Sequence, residues 1–156
     1  SNNTPSAIAL SRQKVPYINP GSSKENKCKK GAYIVNITSH ENNVTLIASG
    51  TEVELALKVQ NKLKENNIHS KVVSMPCMEL FDKQSEEYKK YLIEEDALVV
   101  TLEAGSILSW QKYTKNKGLN LGIDQFGESA PYKEVYDHFD LTEEKITSFI
   151  QKKLRE

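Results

Sequence analysis

The apolar positions of this chain come in short runs, each followed by a stretch in which they recur every three or four residues. The clearest case is Val44-Thr45-Leu46-Ile47-Ala48, which passes through Ser49-Gly50 into a stripe of Val53, Ala56, Leu57, Val59 and Leu63. A short apolar run reads as a buried strand, and the stripe reads as a helix laid on a sheet. Thr51 followed three positions later by Glu54 predicts a capping box at the start of that helix. The pattern repeats. Strands are predicted over 31–37, 44–48, 71–75, 97–102 and 119–123. Helical segments are predicted over 82–93, 106–113 and 132–139, with a last one over 142–155 that turns Ile146, Phe149, Ile150 and Leu154 inward. Acids in the first turn of that last helix and bases in its last turn suit the helix dipole.

Only a few residues separate the first two of these strands, too few for a parallel crossover, so the spacing predicts an antiparallel pair there. One helix lies between the second and third strands, which predicts a parallel pair. The expected fold is α/β: a doubly wound, three-layer sandwich of five mostly parallel strands, one antiparallel strand at an edge, and helices on both faces.

The chain before residue 31 does not fit that scheme. Residues 7–10 form a short apolar run that meets Ser11-Arg12-Gln13, with no hairpin partner and no helix after it. Residues 14–30 hold Pro16, Pro20, Gly21 and a cluster of lysines, the composition of a linker. The compact domain is therefore expected over 31–156, with the orphan strand belonging to something that precedes it.

Composition narrows the function. A chain of 156 residues is long enough for one domain that buries roughly 68–70% of its unfolded surface. Twenty-one basic and twenty-one acidic residues leave a net charge of zero, which argues against a nucleic-acid partner. The apolar runs are too short to cross a bilayer, so no membrane role is expected. Cys28 and Cys77 lie outside any metal or redox spacing and read as free thiols of a cytoplasmic protein.

Candidate chemistry is sparse. The Gly50 turn stands where phosphate cradles occur, but one glycine is not a cradle motif, and Glu52 and Glu54 would repel an anion. His40, His69 and His138 have no metal-ligand spacing and read as surface residues. Cys77 has no activating neighbour in sequence. Glu103 stands at the end of a parallel strand, on the edge where open α/β sheets bind ligands, and Glu128 lies in a later loop. The two could converge for acid–base work or serve as caps and interface contacts. Arg12 follows an apolar strand directly. Its planar fork suits a phosphate or carboxylate, and spacing alone leaves that role level with an ordinary surface charge.

A set of short motifs in fixed order carries more. They are Ala9-Leu10-Ser11-Arg12-Gln13, Ala48-Ser49-Gly50-Thr51-Glu52-Val53-Glu54-Leu55-Ala56, Val72-Val73-Ser74-Met75-Pro76, Phe81-Asp82-Lys83-Gln84 and Phe126-Gly127-Glu128-Ser129-Ala130-Pro131. In that order the chain resembles the C-terminal domain of the transketolase family from Ala7 onward. Related thiamine-dependent families share the domain without usually carrying the set together. The one mild departure is Thr51, where the family often has serine.

The resemblance implies a parent enzyme that moves a two-carbon glycolaldehyde unit from a ketose phosphate to an aldose phosphate, in the pentose phosphate pathway. It implies thiamine diphosphate with a divalent metal ion, Mg or Ca, held between the first two domains at a homodimer interface. It also implies sugar phosphates as partners and a cytoplasmic location. The family's cofactor-activating glutamate, metal ligands and channel histidines have no matching positions here, so no catalytic, cofactor or metal residue is expected in this chain. One functional residue carries over: Arg12 matches the arginine that contacts the substrate phosphate. Residues 1–13 would be the end of the preceding pyrimidine-binding domain, 14–30 a linker and 31–156 the C-terminal domain, inactive alone. The alternative is a non-catalytic module that binds a small ligand or regulator near Glu103 and Gly105.

Overall fold

In the computed structural model the described residues are 5, 7, 11, 13–18, 26–39, 41–115 and 117–156. Residues 8–10 of the strand predicted over 7–10, together with Arg12 and His40, lie outside them. After a 3-10 turn at Lys27–Lys30 the elements run β1 (Tyr33–Ile37), β2 (Val44–Ala48), α1 (Glu52–Glu65), β3 (Ser70–Ser74), α2 (Met78–Asp82), α3 (Glu86–Leu92), β4 (Leu98–Leu102), α4 (Gln111–Thr114), β5 (Leu119–Leu121), α5 (Tyr132–His138) and α6 (Glu143–Lys153).

The five strands form one sheet in the order β1-β3-β2-β4-β5. β2 is parallel to both β3 and β4, β4 is parallel to β5, and β1 is antiparallel at the edge. The mixed sheet with one antiparallel edge strand is as expected. The partner of that strand is not. β1 pairs with β3, Tyr33 opposite Ser74 and Ile37 opposite Lys71, and not with β2 as the short connection suggested. The burial patterns show why. All five residues of β2 are buried, the signature of a central strand covered on both faces. β1 leaves Asn36 and Ile37 exposed, as an edge strand does. β2 therefore stands at the centre of the sheet, with β3 between it and β1.

Alternate residues of the strands feed two cores. Val44, Leu46, Ala48, Val72, Val100 and Leu102 face α1 and α6, meeting Val53, Ala56, Val59, Leu63, Ile146 and Ile150. Ile47, Val73 and Val99 face the other side, meeting Phe81 of α2, Leu92 of α3 and Tyr113 of α4. Helices therefore cover both faces. Ile18, well upstream of β1, packs against the first of these cores.

Several helices differ from their predicted extents. The helix expected over 82–93 is α3 alone, Glu86–Leu92, with Ser85 at its start accepting from the Tyr88 amide at 3.2 Å, and the short α2, Met78–Asp82, precedes it where no helix was expected. Residues 106–110 are turn rather than helix, because the Asp124 carboxylate accepts from both the Ser106 hydroxyl and the Ile107 amide and holds the chain there. The capping box at α1 does not form. Thr51 already has helical dihedrals, and its hydroxyl donates to the Glu52 carboxylate at 2.6 Å instead of capping an amide. Glu54 pairs with Lys58.

Candidate functional site

The connection after β2 enters α1 on one face of the sheet. The connection after β4 leads to α4 on the other. Because β2 and β4 are neighbours, their diverging loops open a crevice at the carboxyl ends of the strands, the usual ligand position in an open α/β sheet.

Gly50, at the first loop, has φ of +53°, and no atom lies within 4 Å of where its Cβ would stand. Its role is the left-handed turn itself, which swings the chain from strand to helix. Glu103, at the second loop, is fixed from β5: its amide donates to the Leu121 carbonyl at 3.0 Å, and the Ile123 amide donates to the Gly105 carbonyl at 2.7 Å. Gly122 allows this approach. A Cβ there would stand 2.5 Å from Ile107 Cγ2 and 2.7 Å from the Gly105 carbonyl oxygen.

The two loops are joined across the sheet by the Ser49 hydroxyl, which donates to Glu103 Oε2 at 3.2 Å. Glu103 is half-buried, and its carboxyl is held above the ordinary carboxylate range. Burial is the main cause, the nearby Glu52 charge adds to it, and hydrogen bonds from Ser49 and Trp110 oppose it.

Glu52 is the unexpected member. Only 5% of it is exposed. Its Oε1 accepts from the Thr51 hydroxyl and from the Tyr136 phenol of α5. Burial raises the Tyr136 phenol above its usual range, and the bond to the Glu52 carboxylate adds to the shift. From the sequence, Glu52 reads only as a charge in a helix first turn. The available signal was weak: Glu52 and Glu54 both stand in that turn, and nothing local says which one is buried.

Glu128 is exposed, and it lines the same cleft as Glu52 and Glu103, an opening of about 470 Å³. The two carboxylates singled out in the sequence thus share one cleft, while the closer electrostatic partner of Glu103 is Glu52. Ser11 and Gln13, the neighbours of Arg12, line this cleft too. Among its described lining residues there are three carboxylates and no lysine, arginine or histidine. A diphosphate needs cations and free amide donors, so these residues do not fit thiamine diphosphate.

The other candidates stay apart. His69 and His138 are exposed, and His138 sits edge-on to Phe139. Cys28 and Cys77 are free, and the Cys77 thiol donates to a Glu79 carboxylate oxygen at 3.5 Å. Among the described residues no group of three or more potential ligands is arranged to hold a metal ion. No described helix is long and apolar enough to cross a membrane.

Comparison with known proteins agrees with this architecture. Residues 31–142 match the family described as transketolase-like TK C-terminal domain. The chloroplastic transketolase of Solanum tuberosum is 43% identical over 148 residues, 93% of this chain and 20% of that protein. The transketolase of Bacillus subtilis is 38% identical over 154 residues, 97% of this chain and 23% of that protein. A crystal structure of Pichia stipitis transketolase in complex with sedoheptulose 7-phosphate superposes with a TM-score of 0.82 at 30% identity, covering 92% of this chain and 20% of that one. The chain thus spans about a fifth of the length of these relatives.

Proposed function

This chain belongs to the family of transketolase-like C-terminal domains, and we propose from that membership that it serves a transketolase as its C-terminal domain. The observation that carries the reading is the family match over residues 31–142. The whole enzyme transfers a glycolaldehyde unit between sugar phosphates, with thiamine diphosphate and a divalent metal ion held elsewhere in a homodimer. A cytoplasmic location belongs to the same reading. The carboxylate-lined cleft of this domain gives no step through the cofactor.

The chain contributes packing surface and one substrate contact. Arg12 binds the substrate phosphate through its guanidinium fork, so that the far end of the sugar holds the reacting carbon in place. Two things support this role: the Ser11-Arg12-Gln13 match, and the position of Ser11 and Gln13 on the cleft at the sheet's carboxyl edge. In this reading residues 1–13 end the preceding pyrimidine-binding domain, and residues 14–30 link it to residues 31–156.

The test is Arg12→Ala in the complete enzyme. KM for ribose 5-phosphate as acceptor should rise roughly ten- to hundredfold more than KM for unphosphorylated glycolaldehyde. Equal losses for the two acceptors would overturn the phosphate role. The chain alone, given cofactor and pentose phosphates, should show no turnover.

A second reading, a small-ligand module, has one observation in its favour. Ser49, Glu103, Gly105 and Trp110 line an open cleft of about 470 Å³ at the crevice between β2 and β4.

A further inference from the structure

The described residues around position 12 are not scattered over the surface. Ser11 and Gln13 line the cleft that holds Glu52 and Glu103. Gln13, Lys14 and Val15 line the adjoining groove above the start of α1. Thr51, Tyr132 and Tyr136 line both. A little further along, Ile18 packs against the core between the sheet and α1. Ser11 and residues 13–18 therefore lie as a strap over a floor made by the first turn of α1 and by α5.

That floor depends on a tie between the two helices. α5 has seven residues, none of them buried, so apolar packing alone holds it weakly. Its Tyr136 phenol donates to the buried Glu52 carboxylate, which the Thr51 hydroxyl also approaches. Tyr132 sets its ring edge-on to Tyr136 at 6.1 Å and completes the wall. Burying a carboxylate is costly, and the apolar core of α1 does not need one. The hydroxyl–carboxylate bond locks α5 against α1 at the place where the strap crosses.

We propose that the Glu52–Tyr136 pair is the seat of the strap, and that both are positioning residues for Arg12, acting from the C-terminal domain on the substrate-phosphate contact. This rests on the phosphate role proposed above for Arg12. Neither residue touches substrate in this scheme.

Two measurements test it separately. The first is hydrogen exchange on the complete enzyme. Tyr136→Phe keeps the ring and removes the donor, and the amides of residues 13–15, 17 and 18 should exchange on the order of tenfold faster. Amides at the centre of α1, such as Val59, should keep their rates. Glu52→Gln keeps an acceptor oxygen and should stay near wild type. Unchanged exchange over 13–18 in Tyr136→Phe would overturn the seat.

The second is kinetics of the complete enzyme. Tyr136→Phe should raise the ratio of KM for ribose 5-phosphate to KM for glycolaldehyde by several-fold. Combined with Arg12→Ala, it should add nothing further to that ratio. Faster exchange with an unchanged ratio would overturn the positioning role. If Arg12→Ala itself fails to discriminate the two acceptors, the phosphate role falls, while the exchange result still decides the seat.

Discussion

Ser49 and Glu103 stand 54 positions apart in the chain and are joined at 3.2 Å across the carboxyl ends of two adjacent parallel strands. The bond sits where the loops after β2 and β4 diverge, and it leaves Glu103 half-buried beside the charge of Glu52. The folded state therefore holds the Glu103 proton more tightly than the unfolded chain does. Stability from this group is fully present below the unfolded value of about 4.3 and is lost as pH rises through the higher folded value. Glu103→Gln removes that titration and keeps an acceptor for Ser49. The Tm of the variant minus that of wild type should grow as pH rises from about 4 to about 7, and should level off below that range. A difference that does not change with pH would contradict the assignment.

Lys71 is the largest polar side chain in the core, 1% exposed on β3. Its ammonium donates to the Tyr91 carbonyl at 2.8 Å and pairs with Glu94 at 3.0 Å. Removing one member of such a pair leaves a buried charge poorly compensated, whereas replacing the cation with an apolar side chain of similar shape does not. Glu94→Ala should cost about 2–4 kcal/mol in urea unfolding, while Lys71→Met should fall within about 1 kcal/mol of wild type or above it.

The two rim glycines should respond differently to alanine. Gly50 needs a positive φ and has open space around it, so Gly50→Ala should cost about 1 kcal/mol of backbone strain. Gly122 is closed in by Ile107 and the Gly105 carbonyl, so Gly122→Ala should cost about 2 kcal/mol or more and disturb the loop that carries Glu103. Urea unfolding gives both costs. The resonance of the Glu103 amide should shift in the second variant and stay near its wild-type position in the first.

The strands and the layers that cover them were legible because they are written in local periodicity, and strand polarity was legible in the length of the connections. The continuous apolar run of Val44 to Ala48 marks a strand buried on both faces, and the stripe of Val53, Ala56, Val59 and Leu63 marks the helix covering it. The five motifs, taken in order, pointed to the family from the chain alone. Periodicity says which side of an element is buried. It does not say which edge a strand offers or what reaches a given side chain from far away.

That is why tertiary structure alone decided the rest. The short connection before β2 could not reveal that β3 would take the edge of β1, since β2 spends both of its edges on parallel neighbours. Glu52 looked like an exposed helix-start charge, because the group that justifies its burial, the Tyr136 phenol, lies 84 positions away on a helix that has to be brought over the rim. Local sequence determined the elements and their inward faces. The meeting of Ser49, Glu52, Glu103 and Tyr136 was decided by the packing of three separate segments, and no window of sequence contains it.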